Sequence, residues 1–180
     1  PNGIWVHAVS VGEVVAAVPM IKELQKAHPQ IPILVTNTTP TGADRVRTLL
    51  GDTVTQIYLP YDFPDAINRF FKKAQPRLGI IMETELWPNL LHSAGQNKIP
   101  MILANARLSE RSAYGYLRFA KLTREMVQHF SLVIAQTQND ADRFMQLGVD
   151  AEKIRVTGSI KFDLEIPTDL FARAKILKQM

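Results

Sequence analysis

The sequence contains no cysteine, which excludes disulfide bonds and thiolate metal sites from this chain. It also lacks any apolar run near the roughly 18 to 20 residues that a membrane-spanning helix requires. Glycine and proline occur only 9 and 11 times in 180 residues, which excludes a collagen-like repeat and argues against a disordered chain. What remains is a globular chain that is long enough to bury one full apolar core.

Several motifs of nucleotide and hydrolase chemistry are also missing. The sequence has neither the GxxxxGK loop of phosphate-binding proteins nor the GxGxxG turn of dinucleotide-binding proteins, and no GxSxG turn is present. Its 4 histidines are too scattered along the chain to predict a metal centre. The net charge is a mild +4, and no zinc-finger spacing or RNA-binding motif accompanies it. We therefore expect neither a metal site nor a nucleic-acid partner.

Strand-like and helix-like segments alternate along the chain. Short runs rich in Ile, Val and Leu predict strands over 3–9, 33–37, 54–59, 78–82, 101–104, 132–135 and 154–156. Helical spacing of apolar residues predicts helices over 13–27, 42–50, 64–74, 88–97, 110–130 and 139–147. This alternation predicts the α/β class, with a Rossmann-like parallel sheet, right-handed crossovers and helices on both faces.

The turns at the two ends of the predicted strands differ in composition. The turns that lead into strands carry few functional groups. The turns that lead out of strands collect polar side chains, at residues 10–13, 38–42, 83–85, 105–109, 136–139 and 158–163. Ligands of open α/β sheets bind outside the carboxyl ends of the strands. The asymmetry therefore predicts a ligand cleft at that edge of the sheet.

The most informative of these turns holds two carboxylates directly after a buried strand. Glu83 and Glu85 precede Trp87 and Pro88, which are typical of a helix start. One carboxylate could therefore cap that helix. Residues two apart in an extended segment point to opposite faces, so we predict that the Glu83 carboxylate faces the cleft. Glu85 is then expected to pair with the backbone or with a basic partner.

The turn after the first strand allows a structural and a catalytic interpretation. Ser10 and Glu13 have the spacing of a capping box, in which each side chain satisfies a backbone amide of the other. Gly12, in the first helical turn, would let a ligand approach the backbone amides. The helix dipole would hold the Glu13 carboxylate ionised, which suits a general base. The same spacing predicts that Thr41 and Thr137 cap their helices.

Two basic residues and one long segment remain open to alternatives. Lys161 and Arg107 follow predicted strands and are either ordinary exposed cations or groups that face an anionic substrate. In the segment 110–130, helical spacing predicts a buried face made of Tyr116, Phe119, Thr123, Met126 and Phe130. The interleaved basic residues are then a solvated face or, alternatively, part of a basic and aromatic surface for a membrane.

Six motifs in sequence order resemble those of the bacterial 3-deoxy-D-manno-octulosonic acid (Kdo) transferases of lipopolysaccharide assembly. They are HAVSVGE at 7–13, TTPTG at 38–42, LPYD at 59–62, METELWPN at 82–89, NARLS at 105–109 and GSIKFD at 158–163. Any one of them is a weak signal, but six in order over residues 3–165 are specific.

The resemblance implies a GT-B fold, in which two Rossmann-like domains face each other across a cleft. Residues 1–165 would be the Rossmann-like domain that binds the lipid A precursor (lipid IVA), and 166–180 would begin an interdomain or tail helix. The membrane anchor and the C-terminal domain that binds the donor CMP-Kdo would be absent from this chain. The full-length protein would be associated with the cytoplasmic face of the bacterial inner membrane, and the isolated half would be inactive.

The resemblance also implies roles for individual residues, with no metal and no cofactor besides the donor substrate CMP-Kdo. Glu13 would be the base that deprotonates the acceptor hydroxyl, and Glu83 and Lys161 would assist the transition state. The residues expected to bind the acceptor are Ser10, Gly12, Thr41, Asn105 and Arg107. The alternatives are another GT-B glycosyltransferase, a sugar-nucleotide epimerase, or a non-enzymatic α/β binding module.

Overall fold

The computed structural model describes residues 2–160, so that Lys161 and the predicted tail helix over 166–180 lie outside the described residues. The strands are β1 Ile4–His7, β2 Ile33–Asn37, β3 Thr55–Tyr58, β4 Leu78–Met82, β5 Met101–Ala106, β6 Phe130–Ala135 and β7 Ile154–Val156. The helices are α1 Val11–Ala27, α2 Pro40–Leu50, α3 Pro64–Ala74, α4 Pro88–Gln96, α5 Glu110–Leu117, α6 Ala120–Val127 and α7 Gln138–Leu147. The predicted alternation of strands and helices is confirmed.

The seven strands form one parallel sheet in the order β3-β2-β1-β4-β5-β6-β7. The chain builds outward from β1 to β3, then returns to the other side of β1 and builds outward from β4 to β7. The order therefore reverses between β1 and β4, whose registers match Val6 with Ile80. At such a reversal the connections that leave the two neighbouring strands run to opposite faces of the sheet and leave a crevice at the carboxyl ends, which is where ligands bind in open α/β sheets.

Two apolar clusters cover the two faces of the sheet. The first contains Trp5 of β1 and Phe144 of α7 and includes residues of α3, α4 and α6. The second contains Val6 of β1 and Ile21 of α1 and includes residues of α2. Alternate residues of β1 thus serve opposite faces, as a strand buried on both sides requires. Among residues 2–160, no helix is both long and apolar enough to cross a membrane.

The prediction of one continuous helix over 110–130 is wrong. The segment forms α5 and α6, separated at Arg118 and Phe119, and its last residue begins β6. The carbonyl of Tyr116 accepts hydrogen bonds from the Phe119 amide at 3.0 Å and from the Thr123 hydroxyl at 2.9 Å. In a continuous helix that carbonyl would accept from the amide four residues later. A side-chain hydroxyl and a tighter turn therefore replace the helical bond and end α5.

The break changes which side chains are buried. Thr123 and Met126 are buried, as the helical spacing predicts, and Tyr116 is half-buried. Phe130 is fully buried too, but as a residue of β6. Phe119 is 68% exposed, contrary to the prediction that it belongs to the core.

Candidate functional site

Glu13 of α1 and the acidic turn after β4 lie at the same edge of the sheet. Glu13 follows the carboxyl end of β1, and Glu83 follows that of the neighbouring strand β4. The charges of Glu85 and Glu83 both act on the Glu13 carboxyl, and the effect of Glu85 is the larger. The predicted convergence of these strand exits is therefore present.

The Glu13 carboxylate is held by three donors of its own N-terminal turn. Its Oε2 accepts from the Val9 amide at 2.9 Å, and its Oε1 accepts from the Ser10 hydroxyl at 2.8 Å and the Ser10 amide at 3.3 Å. The Glu13 amide donates in turn to the Ser10 hydroxyl oxygen at 3.3 Å, which completes the predicted capping box. The side chain is only 8% exposed. Its position is thus fixed before any ligand binds.

The pKa of Glu13 is raised, because burial disfavours the charged carboxylate. Hydrogen bonds from Val9 and Ser10 oppose this shift, while the negative charges of Glu85 and Glu83 add to it. The donors of the N-terminal turn thus lower the pKa, as expected at a helix start, and burial outweighs them. A carboxylate with a raised pKa is a stronger base, which is the property that general-base catalysis needs near neutral pH.

Gly12 and Gly42 both lie near Glu13, but close packing requires glycine only at position 42. A Cβ on Gly42 would lie 2.6 Å from the Val9 carbonyl oxygen, so close packing of α2 against the first turn excludes any side chain there. A Cβ on Gly12 would meet only the Ser10 hydroxyl, at 3.9 Å. Packing of the described chain therefore does not demand glycine at position 12. The exposed surface beside Glu13 is left open for a ligand.

Asn37 and Thr39, at the carboxyl end of β2, hold the turn before Glu13 in place through hydrogen bonds. The sequence did not indicate this role for either residue. The Asn37 amide group donates to the Ala8 carbonyl at 2.6 Å, and the Thr39 hydroxyl donates to the Val9 carbonyl at 2.9 Å. Thr39 also caps α2, since its hydroxyl accepts from the Gly42 amide at 3.2 Å. The prediction that Thr41 caps this helix is wrong, because α2 begins at Pro40. Thr41 is instead an exposed residue of the first turn, on the same sheet edge as Glu13.

The acidic turn after β4 does not have the extended geometry that its sequence predicted. Glu83 adopts a left-handed backbone conformation with φ of 57°, which is uncommon for a residue with a side chain. Its amide still pairs with the Ala104 carbonyl of β5 at 2.9 Å. Because the chain turns here, the alternation of side chains that an extended segment would give does not apply to Glu83 and Glu85. Left-handed non-glycine residues cluster at functional sites, where surrounding structure holds them in place.

The partner of Glu85 also differs from the expectation. Its Oε2 accepts from the indole Nε1–H of Trp87 at 2.6 Å, so its partner is neither the backbone nor a cation. The amides at the start of α4 are capped by Asp62, whose carboxylate accepts from Asn89 at 3.0 Å and Leu90 at 2.8 Å. The distant Asp62 thus does the capping that the sequence interpretation left to one of the two glutamates.

Three other predicted site residues, Ser10, Asn105 and Arg107, can be placed. Ser10 and Arg107 are exposed at the same edge, and Arg107 forms no ion pair or side-chain hydrogen bond with residues 2–160. Its main-chain carbonyl accepts from the Thr84 hydroxyl, which ties the β4 and β5 exits together. Asn105 is 4% exposed, and its side chain pairs with the backbone of Ile160. Lys161 lies outside the described residues. Within residues 2–160 no three metal-binding side chains of His, Asp or Glu come together.

Tyr116 packs against the first apolar cluster, and its phenol lies near enough to the acidic turn to be affected by the charge of Glu85. Burial raises the pKa of its phenol, and the charge of Glu85 adds to the shift. This places the Tyr116 hydroxyl within electrostatic range of the acidic turn. The helical spacing of apolar residues predicted only that Tyr116 belongs to the core. Such spacing cannot show that the phenol hydroxyl lies near the acidic turn.

Sequence comparison identifies relatives over the whole chain. Residues 1–164 match the profile of a family described as 3-Deoxy-D-manno-octulosonic-acid transferase (kdotransferase). A 3-deoxy-D-manno-octulosonic acid transferase of Haemophilus influenzae is 44% identical over 180 residues, which are 100% of this chain and 42% of that protein. A protein of the same name from Bordetella pertussis is 41% identical over 91% of this chain and 39% of its own length. The chain thus spans about two fifths of the length of these relatives.

Solved structures show the same fold at low sequence identity. UDP-GlcNAc 2-epimerase from Neisseria meningitidis, bound to UDP-GlcNAc, is 17% identical with a TM-score of 0.64, over 98% of this chain and 50% of that one. The Anabaena protein Alr3699/HepE in complex with UDP-glucose is 16% identical with a TM-score of 0.65, over 99% and 50%. In both, the similarity covers one half of the solved chain, which agrees with the Rossmann-like half of a GT-B architecture.

Proposed function

The chain belongs to the family of 3-deoxy-D-manno-octulosonic acid transferases, and we propose that it is the acceptor-binding half of an enzyme that transfers Kdo from CMP-Kdo to lipid IVA. The enzyme would act in assembly of the lipopolysaccharide inner core. The observation that carries the proposal is the position of Glu13. A pre-positioned carboxylate with a raised pKa lies where the strand order reverses, beside an exposed glycine that packing does not require.

In the proposed reaction, a hydroxyl of the acceptor sugar attacks the anomeric carbon of Kdo. The bond from that carbon to the phosphate oxygen of CMP breaks, and CMP leaves with the electron pair. Glu13 accepts the hydroxyl proton as the new glycosidic bond forms. The Val9 and Ser10 donors keep both carboxylate oxygens in place, so that little reorganisation accompanies the proton transfer.

The acidic turn would contribute through charge. Departure of CMP builds positive charge on the Kdo ring, and nearby carboxylates stabilise such charge in a site from which water is excluded. Glu85 and Glu83 also raise the proton affinity of Glu13. Lys161 would offset negative charge on the leaving phosphate or on the Kdo carboxylate. Its role is carried over from the family resemblance.

The acceptor would bind along the exposed part of this edge. Ser10, Gly12, Thr41 and Arg107 are exposed there. The Arg107 guanidinium has the planar donor geometry that suits a phosphate group of a lipid A precursor. Asn105, in contrast, is buried at this edge, and its side-chain oxygen accepts from the Ile160 amide.

Association of the full-length protein with the cytoplasmic face of the inner membrane is supported by the surface at the α5–α6 break. We define the junction surface as Tyr114, Leu117, Arg118, Phe119, Lys121 and Leu122. All six are exposed, and the four apolar or aromatic members are 39–72% exposed. Apolar side chains interleaved with cations suit the headgroup region of an anionic bilayer. Such a surface would hold the site close to a lipid acceptor.

The proposal is tested with the full-length protein of which this chain is a part. Incubation with CMP-Kdo and lipid IVA should release CMP and produce a Kdo-modified lipid, followed by chromatography and mass spectrometry. A parallel incubation with UDP-GlcNAc tests the epimerase alternative suggested by the shared fold. CMP release that depends on the lipid acceptor supports the proposal. Epimerised UDP-GlcNAc without Kdo transfer would contradict it.

A further inference from the structure

Asn105 stands out at the carboxyl end of β5 because three unusual features coincide there. Its backbone is left-handed with φ of 52°, it is only 4% exposed, and its amide nitrogen is buried without a hydrogen-bond partner among residues 2–160. Asparagine tolerates the left-handed region better than most residues. A buried amide group that is only half satisfied costs stability. The hydrogen bond that the Asn105 side-chain oxygen accepts offsets part of that cost.

That bond reaches 55 residues along the chain. The Asn105 Oδ1 accepts from the main-chain amide of Ile160 at 3.2 Å. The Asn105 carbonyl accepts from the Gln136 side chain at 3.0 Å, and the Gln136 amide donates to the Ala106 carbonyl at 2.9 Å. Asn105 therefore joins the exits of β5 and β6 to the segment that follows β7.

The segment that follows β7 turns back over the carboxyl edge of the sheet. β7 is an edge strand beside β6, and the Thr157 amide still pairs with the Ala135 carbonyl of β6 at 3.2 Å. Gly158 then turns the chain with φ of 89°, and a Cβ there would meet nothing within 4 Å, so conformation rather than crowding requires glycine. By Ile160 the chain has returned over β6 to β5, and Ile160 packs on the apolar cluster that contains Val6. The segment thus runs from the edge of the sheet toward the β4 exit.

We propose that Asn105 is a positioning residue, which fixes the 158–160 segment across the carboxyl edge of the sheet, the same edge at which the acidic site lies. The inference rests on the proposed function, because Lys161 follows Ile160 in sequence and is the residue that such positioning would serve. It replaces direct acceptor binding as the role of Asn105. With only 4% of the residue exposed, little of the Asn105 side chain is accessible to an acceptor sugar.

The test uses the full-length protein and the variant Asn105→Gly, which removes the acceptor oxygen but accommodates the positive φ. Lys98→Gly is the matched control, since Lys98 also has a positive φ of 55° but precedes β5 at the opposite edge of the sheet. Hydrogen exchange followed by mass spectrometry should show about tenfold faster exchange in peptides that contain Ile160 for Asn105→Gly, and no change there for Lys98→Gly. This measurement does not depend on the enzyme's substrate.

Asn105→Asp keeps an acceptor oxygen at the same position and should retain the protection of the Ile160 amide. If Asn105→Gly does not fold, Asn105→Asp and Ile160→Pro test the same hydrogen bond. Asn105→Asp keeps the acceptor, whereas Ile160→Pro removes the donor. Unchanged protection of the Ile160 amide in Asn105→Gly would overturn the proposal, as would unchanged exchange of the neighbouring amides in Ile160→Pro or protection of the Ile160 amide lost equally in Asn105→Asp.

Steady-state kinetics separate positioning from acceptor binding. For Asn105→Gly, kcat should fall by about 10- to 100-fold while the KM for the acceptor stays within about threefold, as expected when a catalytic group is displaced. A raised acceptor KM with unchanged kcat would show that Asn105 contacts the acceptor. If the enzyme proves to have no Kdo transferase activity, the exchange result still decides whether Asn105 holds the segment.

Discussion

Ser10 and Glu13 hold each other through reciprocal hydrogen bonds at the start of α1. The Ser10 hydroxyl donates to the Glu13 carboxylate at 2.8 Å and accepts from the Glu13 amide at 3.3 Å. The capping and catalytic interpretations of Glu13 are therefore compatible. A side chain that closes the N-terminal turn is also the buried carboxylate of the site.

Replacing Glu13 should affect stability and activity to different extents. Glu13→Gln retains one acceptor oxygen and should lower the free energy of unfolding by about 0.5–2 kcal/mol, as loss of an N-terminal cap does. Turnover of the full-length enzyme should fall by about 10²- to 10⁴-fold, because the proton acceptor is lost. Asp140→Asn is the matched control, since Asp140 closes the equivalent turn of α7 after β6. A stable Glu13→Gln enzyme with full turnover would remove Glu13 from the mechanism.

The acid limb of the pH–rate profile should shift when the charge of Glu83 or Glu85 is removed. A base works only when deprotonated, so kcat/KM should rise with pH through the raised pKa of Glu13. Removing a nearby negative charge lowers that pKa, so Glu83→Gln and Glu85→Gln should both move the acid limb to lower pH. Glu85→Gln should move it further, because Glu85 has the larger effect on Glu13. Profiles that coincide with that of the unmodified enzyme would contradict this coupling.

Glu83 and Glu85 should also differ in stability. Glu85→Ala removes the acceptor of the Trp87 indole and should lower the free energy of unfolding by about 1–2 kcal/mol in a denaturant titration. Glu83→Gly relieves the left-handed backbone, which offsets part of the interaction that the variant loses, and its turnover should fall by about 10²-fold through loss of the carboxylate. A Glu83→Gly enzyme that is strongly destabilised and fully active would reverse this assignment.

The junction surface should bind anionic membranes. The 180-residue chain should sediment with vesicles of phosphatidylglycerol and much less with vesicles of phosphatidylcholine. The pair Phe119→Ser and Leu122→Ser should weaken the interaction by about tenfold or more, because apolar area no longer enters the interface. Met145→Ser, at an exposed apolar residue of α7, is the control. Equal sedimentation of the double variant and the unmodified chain would show that another surface is responsible.

His7 should make stability sensitive to acid. It is fully buried in β1, its Nδ1 lies 2.8 Å from the Thr36 hydroxyl, and burial lowers its pKa to about 4. Because the unfolded-state pKa near 6.5 is higher, the unfolded chain binds a proton first, and stability falls as pH drops from about 6.5 toward 4. The loss should reach about 3 kcal/mol at the lower limit.

Urea titrations of the chain at pH 7.5 and 5 measure this loss. His7→Gln should be less stable at pH 7.5 but should lose less between the two pH values. His28→Gln, at an exposed histidine, should behave like the unmodified chain. A pH dependence that His7→Gln leaves unchanged would assign the acid sensitivity to other groups.

The 180-residue chain alone should have no transferase activity. The site described here holds an acidic cluster and an acceptor edge, while the donor is proposed to bind mainly to the second half of the family's fold. CMP release from CMP-Kdo should therefore be undetectable with the chain and restored in the full-length protein. Turnover by the chain at a rate comparable to the full-length enzyme would refute the division into two halves.

The sequence by itself determined the features that depend on neighbouring residues. The strands over 33–37, 78–82 and 154–156 and the helix over 64–74 have the bounds that the sequence predicts. Strand runs and helical spacing are set within about ten residues, so they can be read without tertiary contacts. The capping box of Ser10 and Glu13 spans three residues and is equally local. The family motifs at strand exits located the edge of the sheet where these residues meet.

Tertiary structure alone decided the features that join distant segments. Asp62 caps α4 by accepting from Asn89, 27 residues away, and Asn105 bonds to Ile160 across 55 residues. The raised pKa of Glu13 arises from burial and from charges on another strand exit. No local pattern encodes such contacts, because they depend on which strands become neighbours in the sheet. For the same reason the sequence assigned the capping of α4 to Glu83 or Glu85 rather than to Asp62.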